Sequence, residues 1–520
     1  MPPREILFRG ALIESASGLT VGRMFRQQVR RGPDRVALEQ EGRRITYAEL
    51  YARVNRLANS LAAQGVRNGD RVVILSENRT EYVELQLAAA KLGIIVACQN
   101  WRLASSELVH CLSLVEPKAT FVSERFASLL SGLNCDVGRT ITLGAEYEHL
   151  LQGVHDSESP DVAHAEDGLV ILYTSGTTGL PKGAVISQRA MIARGFIGEI
   201  DGTFVPERTF VAWAPMFHMV STDNVLATLM RGGKVVVIDG FDPARIVNAC
   251  ANEDIGWLQL MPGTVEQAIA EFKKTDMRPR TLGSVGCMAD LVPRAQIAEI
   301  TELLQAPYIN SFGSTETGSP PASKNLIPIG VIQERLPKEQ NSMCDIRLVD
   351  ADDNDVPDGQ PGELAFRGPT LFSGYWKVPP ENDFQNGWFH MGDVFRRNPD
   401  GTLDFVDRRK YLIKSGGENI YPAEIEQVLL ASSRITEAVV VRKPDERWGE
   451  VPVAFVVARD TSLSAADVIA LCRGKIANYK LPKAVRFVAD ADLPRSTTGK
   501  IKRHELEELL KVSAAGRESR

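Results

Sequence analysis

Gly168–Gly183, GLVILYTSGTTGLPKG, begins as an apolar run that reads as a buried strand and turns into glycines, hydroxyl residues and one lysine. A strand that hands over to such a stretch ahead of a helical segment is the context of a phosphate-cradling loop. Gly176 and Gly179 lack a Cβ and let backbone N–H groups approach an anion closely. Thr174, Ser175, Thr177 and Thr178 add hydroxyl donors, and Lys182 adds positive charge. A flexible polar turn would not need so many donors behind a buried strand. The loop is not a Walker loop, because Gly183 rather than Ser or Thr follows Lys182 and the glycine spacing departs from GxxxxGK[ST]. A P-loop NTPase is therefore disfavoured.

Outward from this loop, strand-like and helix-like segments alternate, the pattern of sheets covered by helices. Thr46 and Glu49 form a capping box before a helical run Tyr47 to Gln64, which Gly65 stops, and the strand Arg71 to Leu75 follows. Lys234 to Ile238 reads as a buried strand, after which Asp242 caps a helix with Pro243 in its first turn. The repetition of this unit predicts a parallel sheet, and no short-period repeat points to a solenoid or propeller. Past Asp407 to Lys410 the pattern changes. Ala438 to Val441 and Val451 to Val457 read as strands, Ala465 to Ile476 and Arg503 to Leu510 as helices, and Ser513 to Arg520 as a frayed tail. The fold class is α/β: a large N-terminal domain of several subdomains over residues 1–407, and a smaller α+β C-terminal domain over 408–520.

A chain of 520 residues exceeds what one hydrophobic core holds, so at least two domains are expected. Hydrophobic residues at 44% and charged residues at 24% are ordinary globular values. The net charge of -6, with Lys and Arg scattered, leaves no footprint for nucleic acid or an anionic membrane surface. Met1 to Thr20 holds only the short apolar runs Ile6–Phe8 and Ala11–Ile13, with no signal-peptide core and no span of membrane length anywhere. A cytoplasmic enzyme is expected, without integral membrane segments and with a homodimer allowed. The seven cysteines show neither metal spacing nor a disulfide framework and read as reduced, mostly buried thiols.

Five further stretches accompany the loop in order: Ala214-Pro-Met-Phe-His218, Asn310-Ser-Phe-Gly-Ser-Thr-Glu316, Phe389-His-Met-Gly-Asp393, Asp407-Arg408 with Lys414-Ser-Gly-Gly417, and Pro494-Arg-Ser-Thr-Thr-Gly-Lys500. With them the chain is identified as a member of the adenylate-forming superfamily of acyl-CoA synthetases, nonribosomal-peptide adenylation domains and firefly-type luciferases. The resemblance covers nearly the whole chain. It implies a carboxylic acid activated by ATP and Mg²⁺ to an acyl adenylate, then transferred to the thiol of coenzyme A. It also implies that the small domain alternates between two orientations.

By the same resemblance, Lys500 bridges the substrate carboxylate and the α-phosphate, neutralising charge that builds up there. Glu316 supplies a hard oxygen for Mg²⁺, with the Thr174 hydroxyl beside it or acting through water. Thr315 touches the α-phosphate and the loop Thr174–Gly179 with Lys182 holds the phosphates. Phe312 offers a flat face to adenine, Asn310 and Ser311 its edge contacts, and Asp393 and Arg408 hold the ribose hydroxyls. His218 is a gate where acyl carboxylate and thiol meet, against the alternative of an ordinary core histidine. Ser415, Gly416 and Gly417 line the thiol tunnel, and Lys410 matches the hinge, where many relatives carry Asp. The acyl pocket falls to His218, Val220, Asp223, Gly286, Met288 and Ser311. Within Ser221-Thr-Asp-Asn224, Asp223 reads as a helix cap, with pairing to a cationic substrate as the other reading.

Three function classes separate on these residues. A CoA ligase is the first. The second is an adenylation enzyme that loads a carrier protein, although no carrier domain follows and His218 occupies the place where amino-acid-activating modules hold an aspartate. A luciferase-like oxygenase shares the adenylation step. A non-catalytic nucleotide-binding protein, the third class, would be expected to lack Lys500 or Glu316, and both are present.

Overall fold

The computed structural model describes residues 18–159, 161–174, 180–205, 207–416, 418–460, 462–495 and 501–515. Ser175–Gly179, Gly417 and Lys500, all expected at the site, lie outside the described residues.

Among the described residues, a large N-terminal α/β domain contains two mainly parallel sheets. The first has six strands, in the order 139–142, 119–122, 71–75, 95–98, 168–174 and 182–187. The second has eight, in the order 326–327, 308–309, 281–285, 254–258, 209–212, 235–237, 36–40 and 43–46. Helix Thr80–Leu92 lies between them and is buried almost throughout, including Glu84, Gln86 and Lys91. Those three polar side chains are tolerated because each has partners: Arg53 and Tyr147 for Glu84, Thr222 for Gln86, Tyr51 and Asn55 for Lys91. Asn78 ties the sheets together, its amide nitrogen donating to the carbonyls of Ala212, Ala214 and Ile238 while its oxygen accepts from Met216 N.

The local signals behave as their chemistry requires. Thr46 and Glu49 close the capping box of helix Tyr47–Ala63, and Gly65 follows with φ 84°. Asp242 accepts from Ala244 N and Arg245 N at the start of helix Pro243–Asn252. One expectation fails. The phosphate-type loop does not lead into a helix, because Gly168–Thr174 pairs antiparallel with Lys182–Ser187, Thr174 opposite Lys182. The apolar run after Lys182 satisfies its backbone as an edge strand, and only then does Ser187 cap the helix Gln188–Ile200, which we label α1.

An antiparallel five-stranded sheet carries Trp388–Arg397 at its centre and Leu403–Arg408 beside it. After the turn Arg409–Tyr411, Ile413 begins a separate five-stranded sheet around Gly449–Ala458, covered by helices Pro422–Leu430, Ala465–Cys472 and Arg503–Ala515. This is the smaller C-terminal domain. Helix Ala465–Cys472 stops short of the expected Ile476, with Gly474 at φ 73° just beyond it, and the last helix runs past Ser513 into the expected tail.

Candidate active site

The Asn310–Glu316 stretch is a tight hairpin. Gly313–Ser314 pairs with Gly318–Pro321, and buried Thr317 donates to Pro320 O and accepts from Ser314 N. A Cβ on Gly313 would stand 2.0 Å from Gly318 O, so only glycine permits this approach. Thr315 and Glu316 sit at the tip, and Arg194 in the middle of α1 grips their carbonyls, with Nη2 donating to Thr315 O at 3.0 Å and Glu316 O at 2.9 Å.

The Glu316 carboxylate accepts from the Tyr375 hydroxyl at 2.6 Å through Oε1. Burial and the Glu316 charge together push the Tyr375 phenol well above its ordinary pKa, so it stays a donor. Lys182 Nζ stands 4.6 Å from the centre of the Tyr375 ring and 3.8 Å from Asp383 Oδ2. The start of strand Lys182–Ser187, opposite Thr174, and the hairpin tip are thus joined through one tyrosine. A hard-oxygen cation fits this donor set: Glu316 presents a second carboxylate oxygen to which no described side chain is bonded, and such cations take few protein oxygens with water completing the shell.

Asp393 is buried, and its Oδ1 lies 2.9 Å from Arg408 Nε across two adjacent strands. The Asp393 charge raises the Arg408 pKa. Asn310 departs from its expected use at the edge of a base. Its amide nitrogen donates to Leu336 O and Pro337 O, and its Oδ1 accepts from Lys338 Nζ at 2.6 Å. Lys338 is fully buried and also pairs with Asp290 at 2.5 Å. Phe312 packs edge-on against Phe395 at 4.7 Å and tilted against Phe405 at 5.3 Å.

His218 is the N-cap of the helix Met219–Arg231, here α2, and its Nδ1 accepts from Val220 N at 3.5 Å. Asp223 is therefore not the cap, nor a free anion for a cationic substrate: it lies inside α2 and pairs with Arg194 Nη1 at 3.2 Å, both side chains buried. Burial pushes Asp223 up and Arg194 down, each opposed by the partner's charge. Met288 adopts φ 50°, an uncommon conformation for a side-chain-bearing residue, with its N–H donating to Ser311 Oγ at 3.0 Å. At Gly286 a Cβ would meet the Tyr308 ring at 2.1 Å.

In the C-terminal domain, Ser415 ends a strand, and Gly416, at φ 59°, donates to Trp448 O at 2.7 Å with that indole stacked where a Cβ would sit. Lys410 is exposed, its Nζ 5.0 Å from the Tyr411 ring, and Arg503 approaches the same ring at 4.8 Å. Asp407 accepts from Arg408 N and Ala423 N, and burial lifts its carboxyl to about 6.

Sequence reasoning missed Arg194, Tyr375, Lys338 and Asp290. A legible signal existed for Arg194, a charge in the middle of the otherwise mostly apolar run Met191–Ile197.

Residues 25–376 match the family model of the AMP-binding enzyme, and residues 424–500 that of the AMP-binding enzyme C-terminal domain. The chain belongs to the AMP-binding enzyme family. It is an AMP-forming acid–thiol ligase, an acyl-CoA ligase working through an acyl adenylate, with ATP, CoA and a small-molecule acid as substrates. It is 34% identical over 500 residues to indoleacetate–CoA ligase of Aromatoleum aromaticum, covering 92% of this chain and 96% of that one. It is 32% identical over 494 residues to a feruloyl-CoA synthase of Amycolatopsis, covering 92% and 97%. ATP-bound MatB from Rhodopseudomonas palustris superposes with a TM-score of 0.83 at 26% identity, over 95% of this chain and 99% of that one. The o-succinylbenzoate CoA synthetase of Bacillus subtilis with ATP and magnesium does so with a TM-score of 0.80 at 26% identity, over 93% and 98%. Among the described residues no helix is long and apolar enough to cross a membrane.

Proposed function

We propose that this ligase activates an aryl or arylalkanoic acid whose body is uncharged, with the hairpin tip Thr315–Glu316 and the Thr174–Lys182 loop forming the adenylation centre. The observation that carries the centre is the bridge Glu316–Tyr375–Lys182, which holds an acidic and a basic group at fixed positions around one ring. The acid class is supported by the relatives named for indoleacetate and ferulate. It is supported also by Asp223, whose charge is matched by Arg194 and does not invite a cationic substrate.

In this reading the acid's carboxylate oxygen attacks the α-phosphorus of ATP, forming the acyl adenylate and releasing pyrophosphate. Lys500 neutralises the charge on the α-phosphate, Thr315 contacts it, and Asp393 with Arg408 holds the ribose. Glu316 and Thr174 would hold a magnesium ion, which would supply counter-charge to the phosphates. Phe312 and the backbone of Asn310 and Ser311 bound the adenine. His218, Val220, Met288 and Gly286 wall the acyl group. The domain boundary lies at 407/408, and rotation about Lys410 brings Ser415, Gly416 and Gly417 to the thiol, which attacks the acyl carbon and releases AMP. The seven free cysteines support a reducing compartment, the cytoplasm.

The test is a panel of indoleacetate, ferulate, a long-chain fatty acid and lysine with ATP and Mg²⁺, scored for pyrophosphate release and for CoA-dependent AMP formation. The aryl acids should give the highest kcat/KM. Preference for the fatty acid or for lysine would overturn the acid class, and adenylation without thioester formation would overturn the thiol step.

A further inference from the structure

Arg194 touches three separate segments at once. Besides the carbonyls of Thr315 and Glu316, its Nε donates to Thr370 O at 2.8 Å and its Nη1 to Asp223 Oδ2 at 3.2 Å. It is fully interior, and its stem passes where Gly318, at φ 77°, has no side chain: a Cβ there would lie 2.8 Å from Arg194 Cγ. Asp223 stands one turn into α2, whose start carries His218 and Val220. The Glu316 carbonyl that Arg194 holds also accepts from Phe372 N at 2.8 Å, in the segment that leads to Tyr375.

A guanidinium has five N–H donors in a rigid plane, so one side chain can fix several carbonyls relative to one another. Burying it with a carboxylate is not a strong device for stability, because an apolar pair of similar volume is often as stable. What such a pair does supply is a fixed geometry. Here the geometry joins the acyl-pocket helix to the backbone that presents Glu316.

We propose that Arg194 is a positioning residue for adenylation, which with Asp223 locks α2, the Thr315–Glu316 tip and the Thr370–Tyr375 segment into one unit. The position of the metal-binding carboxylate is thereby set by the wall of the acyl pocket. This rests on the reading of Glu316 as the magnesium ligand.

The test replaces both charges with apolar groups of similar size, R194M/D223L, so that no unpaired charge is left buried, and follows pyrophosphate release across a magnesium titration. The double variant should keep its circular dichroism, with a melting transition lowered because the carbonyls of Thr315 and Thr370 lose their donor. Its half-saturating Mg²⁺ should rise roughly 10-fold and adenylation should fall by roughly 10- to 100-fold, as for a displaced reacting group, while thiolysis of a presynthesised acyl adenylate is largely kept. A folded double variant with the parental magnesium curve and adenylation rate overturns the proposal. Should the double variant not fold, R194K decides in the same way, since Lys keeps the charge for Asp223 but cannot hold all four acceptors. E316Q run in parallel separates the two readings. An unshifted magnesium curve in E316Q overturns the metal role itself, whereas a shifted E316Q beside an unshifted R194M/D223L overturns only the role of Arg194.

Discussion

The Tyr375 hydroxyl donates to Glu316 Oε1 at 2.6 Å across a sequence separation of 59 residues. A hydrogen bond to a charged group is stronger than a neutral one and fixes the carboxylate's orientation, leaving its second oxygen for a cation. The ring also carries Lys182, so one side chain orients both an anion and a cation.

Tyr375→Phe keeps the ring for Lys182 and removes only the donor. Adenylation should fall roughly 10-fold and the half-saturating Mg²⁺ should rise, consistent with losing one charge-assisted hydrogen bond. Pyrophosphate release across a magnesium titration reads both. Parental values for each would show that Glu316 needs no orientation from Tyr375.

Lys500→Ala should slow adenylate formation by roughly 10²- to 10³-fold, the cost of one transition-state donor. Thiolysis should suffer much less. Supplying presynthesised acyl adenylate and CoA to the variant makes the comparison, and an equal defect in both half-reactions would contradict the assigned role.

Lys338→Met leaves the buried Asn310 Oδ1 and Asp290 without their ammonium partner. An unmet buried acceptor costs about 1–3 kcal/mol, so the thermal transition of the N-terminal domain should move down. The KM for ATP should rise as well, because the released Asn310 carboxamide lies beside Ser311 and Phe312. A variant that melts with the parent and binds ATP equally well would mean that this buried lysine anchors nothing.

Asp407 contributes a pH dependence of known sign. Burial, opposed by Arg503 and reinforced by the negative charge of Glu426, lifts its folded carboxyl to about 6 from an ordinary value of 3.8. Between those values the folded protein holds a proton that the unfolded chain has released, so this group's contribution is greatest in acid and is lost as pH rises from about 4 to about 6. Denaturation midpoints of the parent minus those of Asp407→Asn should therefore decline across that window. A flat or rising difference would place the carboxyl's titration elsewhere.

What the sequence disclosed and what it withheld divide by distance along the chain. The Thr46–Glu49 capping box and the Asp242 cap are local, three residues or fewer from their partners, and their chemistry is complete in the stretch itself. Asp223 shows the same reason in reverse. Its own segment offers a cap, but its partner is Arg194 on a neighbouring helix, 29 residues away, and a packing contact decides its role. The strand Lys182–Ser187 is not legible, because a short apolar run carries no period that separates an edge strand from the first turn of a helix. Glu316 and Thr174 were legible as motif members, whereas Tyr375 and Lys338 act through contacts that no spacing encodes.

At Gly286 the missing side chain leaves room for the Tyr308 ring, and that phenol in turn donates to Cys287 O at 2.9 Å. Any replacement at 286 must displace the Tyr308 ring from a fully buried position. Met288, two residues on, has a flexible, half-buried side chain packed against the core, and its backbone N–H donates to Ser311 Oγ. Directed evolution of the acid preference should therefore accumulate changes at 288 and at Val220 while leaving 286 untouched. In the proposed acyl wall, positions 288 and 220 can be retuned beside 286, which cannot.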